Sequence, residues 1–237
     1  MSGAPMRPDS DSVSRAGDFD AAGSGPFDAD AFRSATGVSR ETLDRLERYA
    51  AALRKWQPAI NLVGAKTLGD LWRRHMLDSA QLLTLLPPAL GDLGGPLVDL
   101  GSGAGFPGLV LAICGVPDVH LVEADQRKAV FLAEVARLTD TAVTVHRQRI
   151  EDVDAFPAAV VTARALAPLP DLLGLAARFS AENTVGLFLK GRDWQRELIL
   201  AQEAWMMRAT PVPSTLDPDS VVLRVENLRR KDTHGRP

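Results

Sequence analysis

One cysteine in 237 residues, Cys114, excludes an intramolecular disulfide and any cysteine-rich zinc cluster. No apolar run approaches the roughly 20 residues a bilayer-spanning helix needs. The first thirty residues also lack an apolar stretch behind a basic start, so no secretory leader is expected. A soluble chain in a reducing compartment, the cytoplasm, is the expectation, with no metal and no membrane. Charge of one sign is scarce too: 27 basic against 30 acidic residues leave a net charge of −3. The excess sits in residues 1–37, which hold six Asp against Arg7, Arg15 and Arg33. The remainder is balanced, and a balanced domain can still carry a local basic face, so net charge leaves a nucleic-acid partner open.

Residues 1–37 are rich in Ser, Gly, Pro, Asp and Ala with few large apolar side chains, and the expectation is disorder. Only Phe27 to Phe32 offers a site for local docking. Order is expected from Val38. Ser39 suits an N-cap, and Leu43, Leu46, Tyr49, Ala50, Leu53 and Trp56 recur at helical spacing until Pro58. A second helical run spans about 67–86, ended by Pro87-Pro88 and a glycine-rich loop at 91–95. Together 38–95 form an N-terminal helical segment. From 96 to 228 the pattern changes to short apolar strands at 97–100, 119–123, 142–145, 160–163, 185–190 and 221–226. Helices are expected at 107–114, 126–138, 168–180 and 194–207. This alternation indicates an α/β fold, a mostly parallel sheet with helices on both faces. Residues 229–237 form a basic tail expected to be mobile. There is no internal repeat.

The most informative stretch is Leu97-Val98-Asp99-Leu100-Gly101-Ser102-Gly103-Ala104-Gly105-Phe106-Pro107-Gly108. A buried strand runs into glycines at alternate positions, where bare backbone permits positive φ and close approach of a ligand. Pro107 stands where a helix should begin. Two ligands fit. Gly103, Gly105 and Gly108 satisfy the G-x-G-x-x-G pattern of dinucleotide-binding loops, with Glu123 at the end of the next strand. Asp99, Gly101, Gly103 and Gly105 satisfy D-x-G-x-G-x-G, which resembles motif I of class I S-adenosylmethionine-dependent methyltransferases. Glu123 serves either reading, so the glycines alone leave both open.

Further motifs extend the second likeness. The loop G-S-G-A-G-F-P-G is followed by L-V-E-A-D-Q-R-K-A-V-F-L (121–132), R-I-E (149–151), T-A-R-A (162–165) and F-L-K-G (188–191). Upstream stand W-Q-P-A-I-N-L (56–62) and R-H-M-L-D-S (74–79). In this order and spacing they closely resemble the ribosomal small-subunit methyltransferase G family, also called glucose-inhibited division protein B, over residues 40–228. The resemblance implies a Rossmann-like fold, S-adenosyl-L-methionine as cofactor, and methylation of N7 of one guanine in 16S ribosomal RNA, free or in the 30S subunit. A monomer is the expected state. Val63 departs from the family pattern, which has Thr after Asn-Leu, and so does the acidic extension 1–37.

The same resemblance implies that the cofactor lies against Gly101, Phe106, Ile150, Glu151 and Arg164, with Gly103, Gly105 and Glu123 completing the cradle. Glu151 alternatively reads as a first-turn helix residue, and Arg164 as a structural partner of Asp99 or Glu151. Arg164 and Lys190 each end a strand, at the edge of the sheet where α/β folds bind ligands. With Arg73, Arg74, Arg127, Lys128, Arg147, Arg149 and Arg192 they make nine cations for a phosphate-gripping face. His75 reads first as a hydrogen-bonded structural residue, with Asp78 or a loop carbonyl, and second as a catalytic candidate. Asn61 reads as a turn or cap residue in preference to a base reader, and Cys114 as an inert core thiol.

No D/N-P-P-Y/F motif for exocyclic amines is present, and no acid–base pair is evident. Guanine N7 carries a lone pair and no proton, so its methylation needs positioning alone, and no catalytic residue is expected. The alternatives are a methyltransferase for a small molecule or protein, which would turn over without RNA, and an NAD-binding oxidoreductase, which would need a proton donor that only His75 offers.

Overall fold

The computed structural model describes residues 27–87 and 95–231. Its sheet has seven strands: β1 (Leu97–Leu100), β2 (Val119–Val122), β3 (Val143–His146), β4 (Ala158–Arg164), β5 (Ser180–Lys190), β6 (Trp205–Pro213) and β7 (Val221–Arg230). They lie in the order β3-β2-β1-β4-β5-β7-β6, all parallel except β7, which pairs antiparallel with both neighbours.

Alternation along β1 divides the core. Leu97 belongs with Leu121, Val160 and Leu187 to a cluster under α2 (Arg40–Trp56), α4 (Gly108–Ile113) and α5 (Gln126–Leu138). Val98 and Leu100 belong with Val122, Val161 and Phe188 to the opposite cluster, under α6 (Leu169–Ala176) and α7 (Trp194–Ala204). A sheet covered on both faces explains why its central strands read as continuous apolar runs. It also sets the ends of β1, β2 and β4, and the loops after them, at one rim.

α2 forms where its periodicity predicts. The Ser39 hydroxyl accepts from the Thr42 N–H, and Leu43, Leu46, Tyr49, Ala50 and Leu53 are buried along one face. The expected helix over 67–86 is irregular: 3₁₀ at Leu68–Asp70, π at Trp72–Leu77, α at α3 (Asp78–Ala80) and 3₁₀ at Gln81–Leu85.

Three expectations are corrected. Disorder does not extend through residue 37: Asp28 caps α1 (Ala29–Thr36), and Phe32 is fully buried with its ring 5.5 Å from that of Trp72. One aromatic anchor and a cap suffice to dock this short helix. The helix expected over 194–207 stops at Ala204, because Trp205 begins β6 and pairs with Arg230. β6 is an edge strand, which tolerates Pro211 and Pro213. The tail expected from 229 begins later, since β7 runs to Arg230. Residues 1–26 of the expected disordered extension, most of the 91–95 loop and residues 232–237 lie outside the described residues. Among the described residues no helix is long and apolar enough to cross a membrane, and no group of three or more His, Cys, Asp or Glu side chains is placed to hold a metal.

Candidate functional site: two adjoining cavities at the strand ends

The glycine loop takes the backbone its sequence predicts. Gly101 and Gly103 have φ of +66° and +57°, conformations that side chains resist. A Cβ on Gly101 would also stand 2.6 Å from a methyl of Leu166. Gly108 is needed for a different reason: a Cβ there would lie 2.6 Å from both Asp99 and Leu121, so its hydrogen lets α4 pack onto β1 and β2. Asp99 is fully buried beneath the loop. Its carboxylate accepts from the Thr162 hydroxyl (2.8 Å) and the Gly108 N–H (3.2 Å), yet burial pushes its pKa up to about 6. Above it the Tyr49 hydroxyl donates to the Ala104 carbonyl, and the Tyr49 ring stacks on Phe106 at 5.3 Å.

A cavity of about 470 Å³ opens over this loop, lined by Gly101, Gly103, Phe106, Glu123, Ile150 and Glu151 among others. The expected cofactor residues are thereby brought together; Gly105 alone turns away, packed against Tyr49 and Leu109. Glu123 is the best-fixed polar group there. One of its oxygens accepts from the Gly103 N–H and the other from the Asp125 N–H, both at 2.7 Å. Each oxygen retains a lone pair for a ligand hydroxyl. Ile150 is buried as an apolar wall. Glu151 is exposed in a 3₁₀ turn, and its own backbone N–H, with Arg149 at 3.6 Å, holds its carboxyl below the usual range. Positive-φ glycines, a fixed carboxylate at the end of β2 and an apolar wall beyond it fit the carboxylate, ribose and adenine of S-adenosylmethionine in turn.

A second cavity, about 760 Å³, lies beside the first, and Leu62, Arg164, Ala165 and Leu166 line both. Arg164 is the partition. Its guanidinium sits 4.9 Å over the Phe106 ring and donates to Asp78 (3.3 Å), the Arg74 carbonyl (3.3 Å) and His75 Nδ1 (2.9 Å). It pairs with Asp78, where the sequence offered Asp99 or Glu151 as structural partners. Since arginine only donates, His75 Nδ1 accepts, and Nε2 carries the proton and donates to Thr67 Oγ1 at 2.8 Å. Burial and the Arg164 charge lower the His75 pKa to about 3. The ring is neutral near pH 7 with both nitrogens committed. That favours the structural reading of His75 with different partners, Thr67 and Arg164 in place of Asp78 or a loop carbonyl.

The nine cations do not form one face. Lys190 is 9% exposed and donates to Glu197 (2.7 Å) and the Ala167 carbonyl (2.8 Å), which withdraws it from the phosphate-gripping set. Arg164 is withdrawn likewise. Lys128 and Arg149 line the first cavity and Arg74 the second. Arg127 and Arg147 are exposed outside both, and Arg192 pairs at 3.4 Å with Asp219. Asn61 is exposed and accepts from Gln57, two residues past the turn at 57–59, and burial pushes the Cys114 thiol up to about 12, as an inert thiol requires. Sequence reasoning named Asp78 only as a partner for His75, and passed over Glu197 and Leu166. Asp78 stands in a quoted motif, but Glu197 sits on a helix with nothing local to single it out.

The chain matches the family described as rRNA small subunit methyltransferase G over residues 42–218. Relatives bearing that name include proteins of Rhodospirillum centenum, 57% identical over 85% of this chain and 92% of theirs, and of Parvibaculum lavamentivorans, 52% identical over 89% and 93%. Among solved structures, the fold is similar to magnesium protoporphyrin IX methyltransferase from Synechocystis with bound SAM (TM-score 0.53, 13% identity, 80% of this chain and 98% of that one). It is also similar to a TehB-like SAM-dependent methyltransferase from Corynebacterium glutamicum (TM-score 0.51, 14% identity, 76% and 96%). A motif I loop on a 3-2-1-4-5-7-6 sheet, with the family's match running through every strand but β7, has one reading: this chain belongs to the rRNA small subunit methyltransferase G family, a family of S-adenosylmethionine-dependent methyltransferases.

Proposed function

We propose that this protein transfers a methyl group to N7 of one guanine in 16S ribosomal RNA in the cytoplasm, holding S-adenosylmethionine in the 470 Å³ cavity and the guanine in the 760 Å³ cavity. The observation that carries the reading is their common wall at Arg164, which lets two ligands meet without sharing a site. Gly101 offers backbone to the methionine carboxylate, Gly103 holds Glu123 in place for the ribose hydroxyls, and Ile150 with Glu151 takes the adenine. The bound cofactor supplies a methyl already activated by a positive sulfur. The protein's own part is to align and desolvate the two reactants. Guanine N7 would attack through its own in-plane lone pair, so the protein need only hold that lone pair in line with the bound donor. No proton moves, and the neutral, fully bonded His75 agrees with a reaction that needs no base. Arg74, Arg127, Arg147 and Arg149 hold RNA phosphates at the rim, and the target is an accessible loop nucleotide, since N7 is closed off in A-form helices.

The test is incubation of purified protein and methyl-labelled S-adenosylmethionine with 30S particles and naked 16S RNA from a strain lacking this gene. Label in 7-methylguanosine at a single position, found by digestion and mass spectrometry, is the expected result. Labelled protein or small molecule with RNA unmarked would overturn it.

A further inference from the structure

We infer that the Lys190–Glu197 pair reads the Watson–Crick edge of the acceptor guanine, and so sets base specificity. The inference rests on the acceptor reading of the larger cavity. Three carboxylates line that cavity, Asp78, Glu197 and Asp217. Asp78 uses one oxygen for Arg164 and the other for Gln81, and Asp217 divides its oxygens between the Asp219 N–H and the Ser220 hydroxyl. Glu197 differs. The Leu169 N–H and Lys190 Nζ both donate to its Oε2, each at 2.7 Å, and among the described residues no hydrogen bond reaches Oε1. Glu197 is thus fixed in place, by the start of α6 and by a buried lysine, with one oxygen left to accept. Lys190 in turn spends two of its three donors, on Ala167 and Glu197, and keeps one.

A fixed donor beside a fixed acceptor is the complement of guanine's edge. Lysine donates to O6, and the carboxylate accepts from N1–H and the 2-amino group. Adenine presents the opposite order, an amino donor facing the lysine and a lone pair facing the carboxylate, so the pair repels it as well as selecting its rival. This assignment gives Lys190 a base contact in place of the phosphate contact its position suggested. It also orients the base by its far edge, leaving N7 for the partition at Arg164.

The test compares guanosine with inosine, which lacks only the 2-amino group, at the methylated position of reconstituted 30S particles. For the unaltered protein, kcat/KM should fall about 10- to 100-fold with inosine. In Glu197→Gln the amide keeps an oxygen for Leu169 and Lys190 but turns a donor toward N1–H. Its activity on guanosine should fall, and its preference for guanosine over inosine should shrink to within about 3-fold, with S-adenosylmethionine affinity retained. If Glu197 serves only to cap α6, the variant will lose activity on both substrates equally and keep the original preference, which overturns the inference. So does an unaltered protein that ignores the inosine change, whatever the stability of the variant. Failure to form 7-methylguanosine on unmodified particles overturns the acceptor reading itself and this inference with it.

Discussion

Gly101→Ala separates two contributions to the cofactor cradle. A left-handed φ of +66° costs an alanine roughly 1–2 kcal/mol. The new Cβ would stand 2.6 Å from the end of the half-buried Leu166 side chain, which can swing aside at small cost in stability but only by moving within the wall shared by both cavities. Gly103 provides the control. Its φ is +57°, but a Cβ there meets nothing nearer than 3.8 Å, so Gly103→Ala carries the backbone cost alone. Because the displaced Leu166 intrudes on the cofactor cavity, S-adenosylmethionine affinity measured by calorimetry should fall about 10-fold further in Gly101→Ala than in Gly103→Ala, about 1.4 kcal/mol. Thermal midpoints should fall about 2–4 °C per kcal/mol. Adding Leu166→Ala should return most of the difference to Gly101→Ala and change Gly103→Ala little. Equal affinities in the two single variants, or no recovery in the double, would refute the claim that Leu166 limits what position 101 can carry.

Tyr49→Phe should cost about 1–3 kcal/mol in urea unfolding, by leaving the Ala104 carbonyl buried without its donor. Tyr49 is the one tyrosine in the chain, and burial raises its phenol well above 10. Tyrosinate absorbance should therefore appear only together with alkaline unfolding, and a titration near pH 10 in folded protein would contradict its burial. Asp99 titrates near 6 when folded, above its unfolded value of 3.8, so folding favours its neutral form. Its contribution is full at low pH and is lost as pH rises from about 4 to 6. The stability of Asp99→Asn relative to the unaltered protein should rise across that window by an amount on the order of 3 kcal/mol, and a pH-independent difference would contradict the assignment. Arg74→Ala and Arg127→Ala should each weaken 30S binding and reduce the slope of log affinity against log salt by about 1. An unchanged slope would remove that residue from the RNA face.

Periodicity and glycine spacing exposed the parallel sheet, α2 and the cofactor loop, because each depends on local conformation: apolar strands buried on both faces, a serine cap, glycines at positive φ. β6 was hidden because pairing with β7, which at Trp205 reaches a partner twenty-five residues on at Arg230, overrode a helical continuation past Ala204. α1 was hidden because Phe32 is its one buried residue, in a composition that reads as disorder. At the site, strand-end position drew attention to Arg164 and Lys190, and both line the larger cavity. It could not show that each is neutralised by a carboxylate from another element, Asp78 from α3 and Glu197 from α7. Charge alone suggested phosphate binding; the partners turn one cation into a partition and the other into half of a donor–acceptor pair.

Methyl transfer as proposed requires donor and acceptor to occupy separate cavities that meet at Arg164, and a crystal structure with S-adenosylhomocysteine tests that most directly. The product should fill the 470 Å³ cavity, with its ribose hydroxyls on Glu123, its adenine beside Ile150 and its sulfur toward the Arg164–Phe106 partition, leaving the 760 Å³ cavity open. Product bound in the larger cavity, or bound without contact to Glu123, would contradict it.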